Sequence, residues 1–166
     1  TLQSDLSINF LAYGEMRGDA FYNNAFNVNA DKVVNNSLDN NIFWASWYNY
    51  YRVIKQANAV IKFTPQVLEA GGISAEKADD VMGQAYCLRA FTYFWIIRIW
   101  GDAPLVTAPY LDSNDSFDLP KAAVADIVEQ IHSDLENASN MIDKNSTSRT
   151  TFTQTAAHAI NDHVYA

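Results

Sequence analysis

Cysteine is almost missing from this sequence. Cys87 stands alone among 166 residues, so no internal disulfide can form. It lies inside an apolar run, where a free thiol behaves as a small hydrophobe, and only Arg89 is a nearby electropositive group. Proline and glycine are scarce as well, four and six residues, while 49% of the chain is apolar and 13% aromatic. That composition excludes collagen-like, linker-like and disordered chains. Basic residues number 11 against 19 acidic ones, for a formal charge of −8, and they form no run. Nucleic acid is therefore excluded as a partner, because phosphate binding needs a positive footprint; the acidic balance suits a neutral ligand.

Long uncharged apolar runs are also lacking. The most apolar stretch, "CLRAFTYFWIIRIWGDAPLV" from Cys87 to Val106, is cut by Arg89 and Arg98, whereas a membrane span needs about 20 mostly apolar residues. It reads as a buried helix. The opening "TLQSDLSINF" has neither the basic nor the apolar region of a signal peptide, and the closing "AAHAINDHVYA" has no helix exit signal. The expectation is an incomplete fragment of a larger domain. Catalytic patterns are missing too: no Gly-rich phosphate loop, G-x-S-x-G, H-E-x-x-H or paired carboxylates in an apolar setting. An enzyme becomes the minor alternative.

Helical signals fill most of what remains. Ser74 as N-cap, Glu76 in the first turn and Gly101 as left-handed exit delimit a helix over about 75–100, roughly seven turns at 3.6 residues each. Its apolar residues fall in several rows, Leu88, Phe91 and Trp95 among them, so other helices must surround it. Arg98 is expected to reach towards Asp102, and Arg89 to pair with a buried carboxylate elsewhere, because an unpaired buried charge costs several kcal/mol. Upstream, Phe43, Trp47, Tyr50, Ile54 and Ile61 predict a helix over about 41–63, capped by Asn40 or Asn41 and ended by Pro65. The short Gly71-Gly72 connector makes these two helices an antiparallel hairpin.

After Gly101 the sequence predicts an extended crossing over about 101–119 and a helix opened by Pro120, over about 120–142, with Val124, Ile127, Val128, Ile131, Leu135, Ala138 and Ile142 as its apolar stripe. A last helix over about 153–166 starts at Thr153. Two successive hairpins define an all-α, tetratricopeptide-like stack, although no 34-residue period is present.

An Asn-rich loop over about 14–41 precedes the helices. Asparagine amides donate and accept as sugar hydroxyls do, and aromatic rings suit pyranose faces, so Tyr22, Asn23, Asn24 and Trp44 are candidate ligand contacts. The alternative is an ordinary turn-rich segment. In "RGD", a local ion pair between Arg17 and Asp19 is expected. His158 and Asp162, with His163 beside them, have metal-ligand spacing on one helix but lack further ligands, so no metal is assigned.

"AYCLRAFTYFWIIRIWGDAPLV" resembles the signature of the SusD/RagB family, carried here by Arg89, Ala90, Tyr93, Trp100, Gly101, Asp102, Pro104 and Leu105. "YRVIKQANAVI", "IVEQIHSDLENASNMI" and "TAAHAINDHVYA" resemble three further family helices, in the same order. The last departs from the pattern through the polar His158, Asn161 and Asp162, which leaves its packing partner open. The resemblance implies a tetratricopeptide-like scaffold in a surface-exposed outer-membrane lipoprotein of Bacteroidota. Such a protein captures oligosaccharides or other nutrients for a partner SusC-like TonB-dependent transporter. It also implies a membrane anchor through an N-terminal lipid that this chain does not contain, and no cofactor. Arg89, Tyr93, Trp100, Gly101, Asp102 and Pro104 are structural in this reading. None of the four matched stretches is itself a ligand site. A helical-repeat interaction scaffold without its own ligand is the alternative, followed by a carbohydrate-active enzyme.

Overall fold

The computed structural model describes residues 2–18, 21–22, 27–111 and 118–165. The chain divides into two compact units, Thr1–Tyr51 and Arg52–Ala166.

In the first unit, α1 (Leu2–Asn9) runs into a π-helical turn, Phe10–Gly14, and a 3-10 turn, Glu15–Arg17. Periodicity gives no helix here, because the apolar residues keep no single 3.6-residue stripe through the widened turn. The expected Asn-rich loop likewise contains a helix, α2 (Val28–Val34). Asn27 caps it, its Oδ1 accepting from the amides of Asn29 and Ala30 at 3.1 Å each. Asn36 ends it at φ 52°, with Ser37 N donating to Lys32 O and Asn36 N to Val33 O. Arg17 donates to Asn36 Oδ1 at 2.7 Å, and the expected pairing with Asp19 lies outside the described residues. Two asparagines of this segment therefore serve helix ends.

The helix expected over 41–63 is α3, Tyr48–Glu69. It starts later because Asn41 N is taken by Asp39 Oδ1, residues Phe43–Ala45 make a separate 3-10 turn and Ser46 is extended. Pro65 does not end it. A proline in a helix forfeits one backbone bond, and here the helix continues to Gly71, whose φ of 72° suits glycine. Gly72 N donates to Val67 O and Gly71 N to Leu68 O, so the last carbonyls are satisfied.

In the second unit, α4 (Ala75–Trp100) begins at Ser74, whose Oγ accepts from Lys77 N, and ends at Gly101 with φ 71°. The expected crossing is a loop closed at its base: β1 (Ala103–Pro104) pairs antiparallel with β2 (Lys121–Ala122). Pro120 thus precedes a strand, and α5 (Val124–Met141) starts four residues beyond it. Its Ala123 cap has no side-chain acceptor, so Asp102 Oδ1 takes the Val124 amide at 3.0 Å. Arg98, expected to turn towards Asp102, lies over the Phe94 ring at 5.1 Å. Finally α6 (Gln154–Tyr165) is capped by Thr153 Oγ1, which accepts from Ala156 N.

Buried Tyr93 and Ile96 of α4 and Ile127, Ile131, Leu135 and Ala138 of α5 form the core of this unit. Each large apolar side chain buried there contributes about 1.5–3 kcal/mol. Gly83 lets α4 approach the end of α5: a Cβ at this position would sit 2.8 Å from Ile142 Cγ1. Of the polar residues that set α6 apart, Asn161 finds a partner, its Oδ1 lying 2.6 Å from His132 Nδ1 on α5. The architecture is all-α, in tetratricopeptide-like hairpins.

Candidate ligand-binding site

Three helices and one irregular segment meet at Arg89. Its Nε and Nη2 donate to the two carboxylate oxygens of Asp134 at 2.8 and 2.6 Å, with both side chains buried. Nη1 donates to Asn58 Oδ1 at 2.6 Å and to Thr107 O at 3.1 Å. Gln130 Nε2 adds a bond to Asp134 Oδ1 at 2.8 Å. A buried charge is tolerated only when its hydrogen-bonding capacity is met, and this planar fork is met on both edges.

The same network grips residues 106–108. Asn58 Nδ2 donates to Val106 O and Ala108 O at 3.0 and 3.2 Å. The Tyr93 hydroxyl accepts from Val106 N at 2.7 Å and donates to Val106 O at 3.2 Å. Burial holds this phenol above its ordinary ionisation range, so it acts as a fixed hydrogen-bonding post. Beyond the grip, Leu105, Val106, Thr107, Ala108, Pro109, Tyr110 and Leu119 line an open cleft of about 350 Å³.

The residues selected from sequence lie in the first unit. Tyr22 is 82% exposed on irregular backbone. Trp44 is half-buried in the 3-10 turn Phe43–Ala45. Asn23 and Asn24 lie outside the described residues. The backbone behind Trp44 is pinned at the start of α3: Asn49 Nδ2 donates to Asp5 Oδ2 at 2.7 Å, and Asn9 Nδ2 to the Tyr50 hydroxyl at 2.8 Å.

Asp134 and Asn58 were not singled out from sequence as partners of Arg89, yet each occupies the apolar stripe of its helix. Asp134 falls three residues after Ile131, and Asn58 four after Ile54. A polar residue on a buried stripe is the signal that identifies them. Cys87 is fully buried, and burial pushes its thiol up to about 12, so it offers no nucleophile near neutral pH. His158, Asp162 and His163 are exposed on α6, and no metal-holding group of three or more His, Cys, Asp or Glu side chains occurs among the described residues.

Comparison with known proteins gives a consistent pattern. The SusD-like family model described as "Starch-binding associating with outer membrane" matches residues 3–166. A SusD-like protein, P38, of Formosa agariphila is 29% identical over 129 residues, which are 76% of this chain and 24% of the relative. Among solved structures, a protein crystallised with a xylogluco-oligosaccharide superposes with a TM-score of 0.75 at 24% identity, covering 97% of this chain and 30% of the other. A laminarin-binding SusD-like protein gives 0.72 at 22% identity, covering 82% and 29%. The chain thus spans about a quarter of the length of the curated relative it matches.

Proposed function

Because this chain belongs to the SusD-like family, we propose that the protein containing it binds oligosaccharides at the outer membrane and performs no reaction on them. The match of a starch-binding family across residues 3–166 is the observation that carries this reading. Laminarin and xylogluco-oligosaccharide, the ligands of two structural neighbours, define the chemistry to try first. Both belong to the neutral sugars that an acidic surface admits.

In this reading Tyr22, Asn23, Asn24 and Trp44 contact the glycan. Tyr22 supplies an exposed ring for a pyranose face, and Trp44 a second ring on backbone held by the anchored start of α3. Delivery to a SusC-like TonB-dependent transporter and attachment through an N-terminal lipid complete the proposal. The helices supply rigidity, which spares the site the entropy of ordering itself.

Calorimetric titration of the full-length protein with starch-, laminarin- and xyloglucan-derived oligosaccharides tests the reading. Tyr22→Ala and Trp44→Ala are each expected to weaken binding about tenfold, as loss of an aromatic anchor does. Unchanged affinity in both variants removes these residues from the site. Failure of the wild-type protein to bind any member of the panel removes the glycan reading. Co-purification of a TonB-dependent transporter from native membranes checks the partner.

A further inference from the structure

We infer that this chain docks on a second copy of itself, the exposed basic row of α3 in one copy lying against the exposed acidic row of α5 in the next. Lys55 and Lys62 stand seven residues apart on α3, and Glu129 and Glu136 seven apart on α5. Seven residues make two turns and return a helix to within about 20° of the same direction, so each pair shares one face, with its charges roughly 10 Å apart. All four side chains are exposed, on the sides of their helices away from buried Ala57 and Thr64 and from buried Ile131 and Ala138. Among the described residues none of the four enters an ion pair.

The two faces match beyond their charges. With α3 and α5 laid side by side and parallel, Lys55 meets Glu129 and Lys62 meets Glu136, the small Ala59 and Ser133 fall opposite each other between them, and Gln66 meets Asn140. Small residues at the centre let two helices approach, and an amide pair at the end donates and accepts in both directions. α5 carries no Lys or Arg, and α3 carries no acidic residue before Glu69, so neither row contains a charge that opposes the contact. Arg52 and Asp126 stand three residues earlier in the two rows; Arg52 already has a contact of its own, which leaves the lysines to set the register. Like rows of two copies repel, and the chain's charge of −8 opposes unspecific contact, so the complementary rows select one orientation. Exposed ion pairs each contribute little and are screened by salt, so the association is weak and strongest at low ionic strength. An anionic surface other than a second copy would engage the α3 row alone and leave the matching α5 row idle.

Sedimentation velocity of the full-length protein over a concentration series, at about 20 mM and about 500 mM salt, tests the docking. Self-association is expected at the lower salt and its loss at the higher. Lys55→Glu with Lys62→Glu, and separately Glu129→Lys with Glu136→Lys, are each expected to stay monomeric at low salt. Mixing these two variants sets every acidic row against a basic one, and association is expected to return. Lys55→Gln with Lys62→Gln and Glu129→Gln with Glu136→Gln, which remove the charges without reversing them, repeat the loss should a swapped variant fail to fold. A wild type that is monomeric at low salt overturns the inference, as does a mixture of the swapped variants that fails to associate. Association abolished by the lysine changes and untouched by the glutamate changes also overturns it, because a different acidic surface would then lie against α3. Oligosaccharide affinity is expected to be the same in all variants, so failure of the docking leaves the glycan reading standing.

Discussion

Arg89 and Asp134, 45 residues apart in sequence, face each other through two side-by-side hydrogen bonds inside the helical unit. Removing either partner strands the other as an uncompensated buried charge. Arg89→Ala and Asp134→Ala are each expected to cost about 3–5 kcal/mol. The double replacement Arg89→Met with Asp134→Leu is expected to cost far less than the two single losses added together. Urea midpoints of the three variants check this, and additive losses would show that the pair is not coupled.

Gly83→Ala tests the close approach of α4 to the end of α5. The new methyl group meets Ile142 Cγ1 at 2.8 Å and the Ile142 amide nitrogen at 3.2 Å, and the latter cannot rotate away. An overpacking cost of about 1–3 kcal/mol is expected to exceed the roughly 1 kcal/mol gained in helix propensity. The melting temperature falls as a result. A rise would show that the helices separate freely here.

Cys87 sets a pH dependence whose sign follows from burial. Its thiol is held at about 12, against an ordinary value of 9.0. Above that ordinary value the unfolded chain sheds the proton while the folded chain keeps it, so stability is complete at lower pH and declines as pH rises between the two values. The raised phenols of Tyr50 and Tyr93 extend the decline upward from 10.0. The denaturant midpoint is expected to drop from about pH 8 to about pH 10, with a smaller drop in Cys87→Ala. Equal drops in both proteins would assign the alkaline loss to other groups.

Asp102→Ala removes the acceptor of the first α5 amide and is expected to cost about 1 kcal/mol, in the range of an N-cap loss. Asp102→Asn retains an acceptor oxygen and is expected to recover most of it. Hydrogen exchange localises the effect: the amide of Val124 and the first turn of α5 lose protection, while α4 does not.

Much of the helical unit is legible in sequence because its boundaries are chemical. Ser74 and Gly101 delimit α4 through a hydroxyl acceptor and a positive φ, both properties of single residues. Pro65 misleads for the opposite reason. Its effect on a helix depends on surroundings, and the stronger stop lies at Gly71. The need of Arg89 for a carboxylate is evident from local apolarity, whereas the identity of Asp134 depends on how α4 and α5 pack. The start of α5 is hidden likewise, since its cap comes from Asp102, 22 residues away. Tyr22 and Trp44 were chosen by residue type, and their exposure is a tertiary property that no local pattern encodes.

The β1–β2 ribbon separates two kinds of freedom. Because both feet of the excursion are joined in a single pairing, an altered span between Tyr110 and Leu119 need not pass strain into α4 or α5. The sequence between Leu111 and Asp118 can therefore change in length or identity while Asn58, Arg89 and Tyr93 keep their hold on residues 106–108. Diversification of what the surface meets is uncoupled from the packing that keeps the bundle folded.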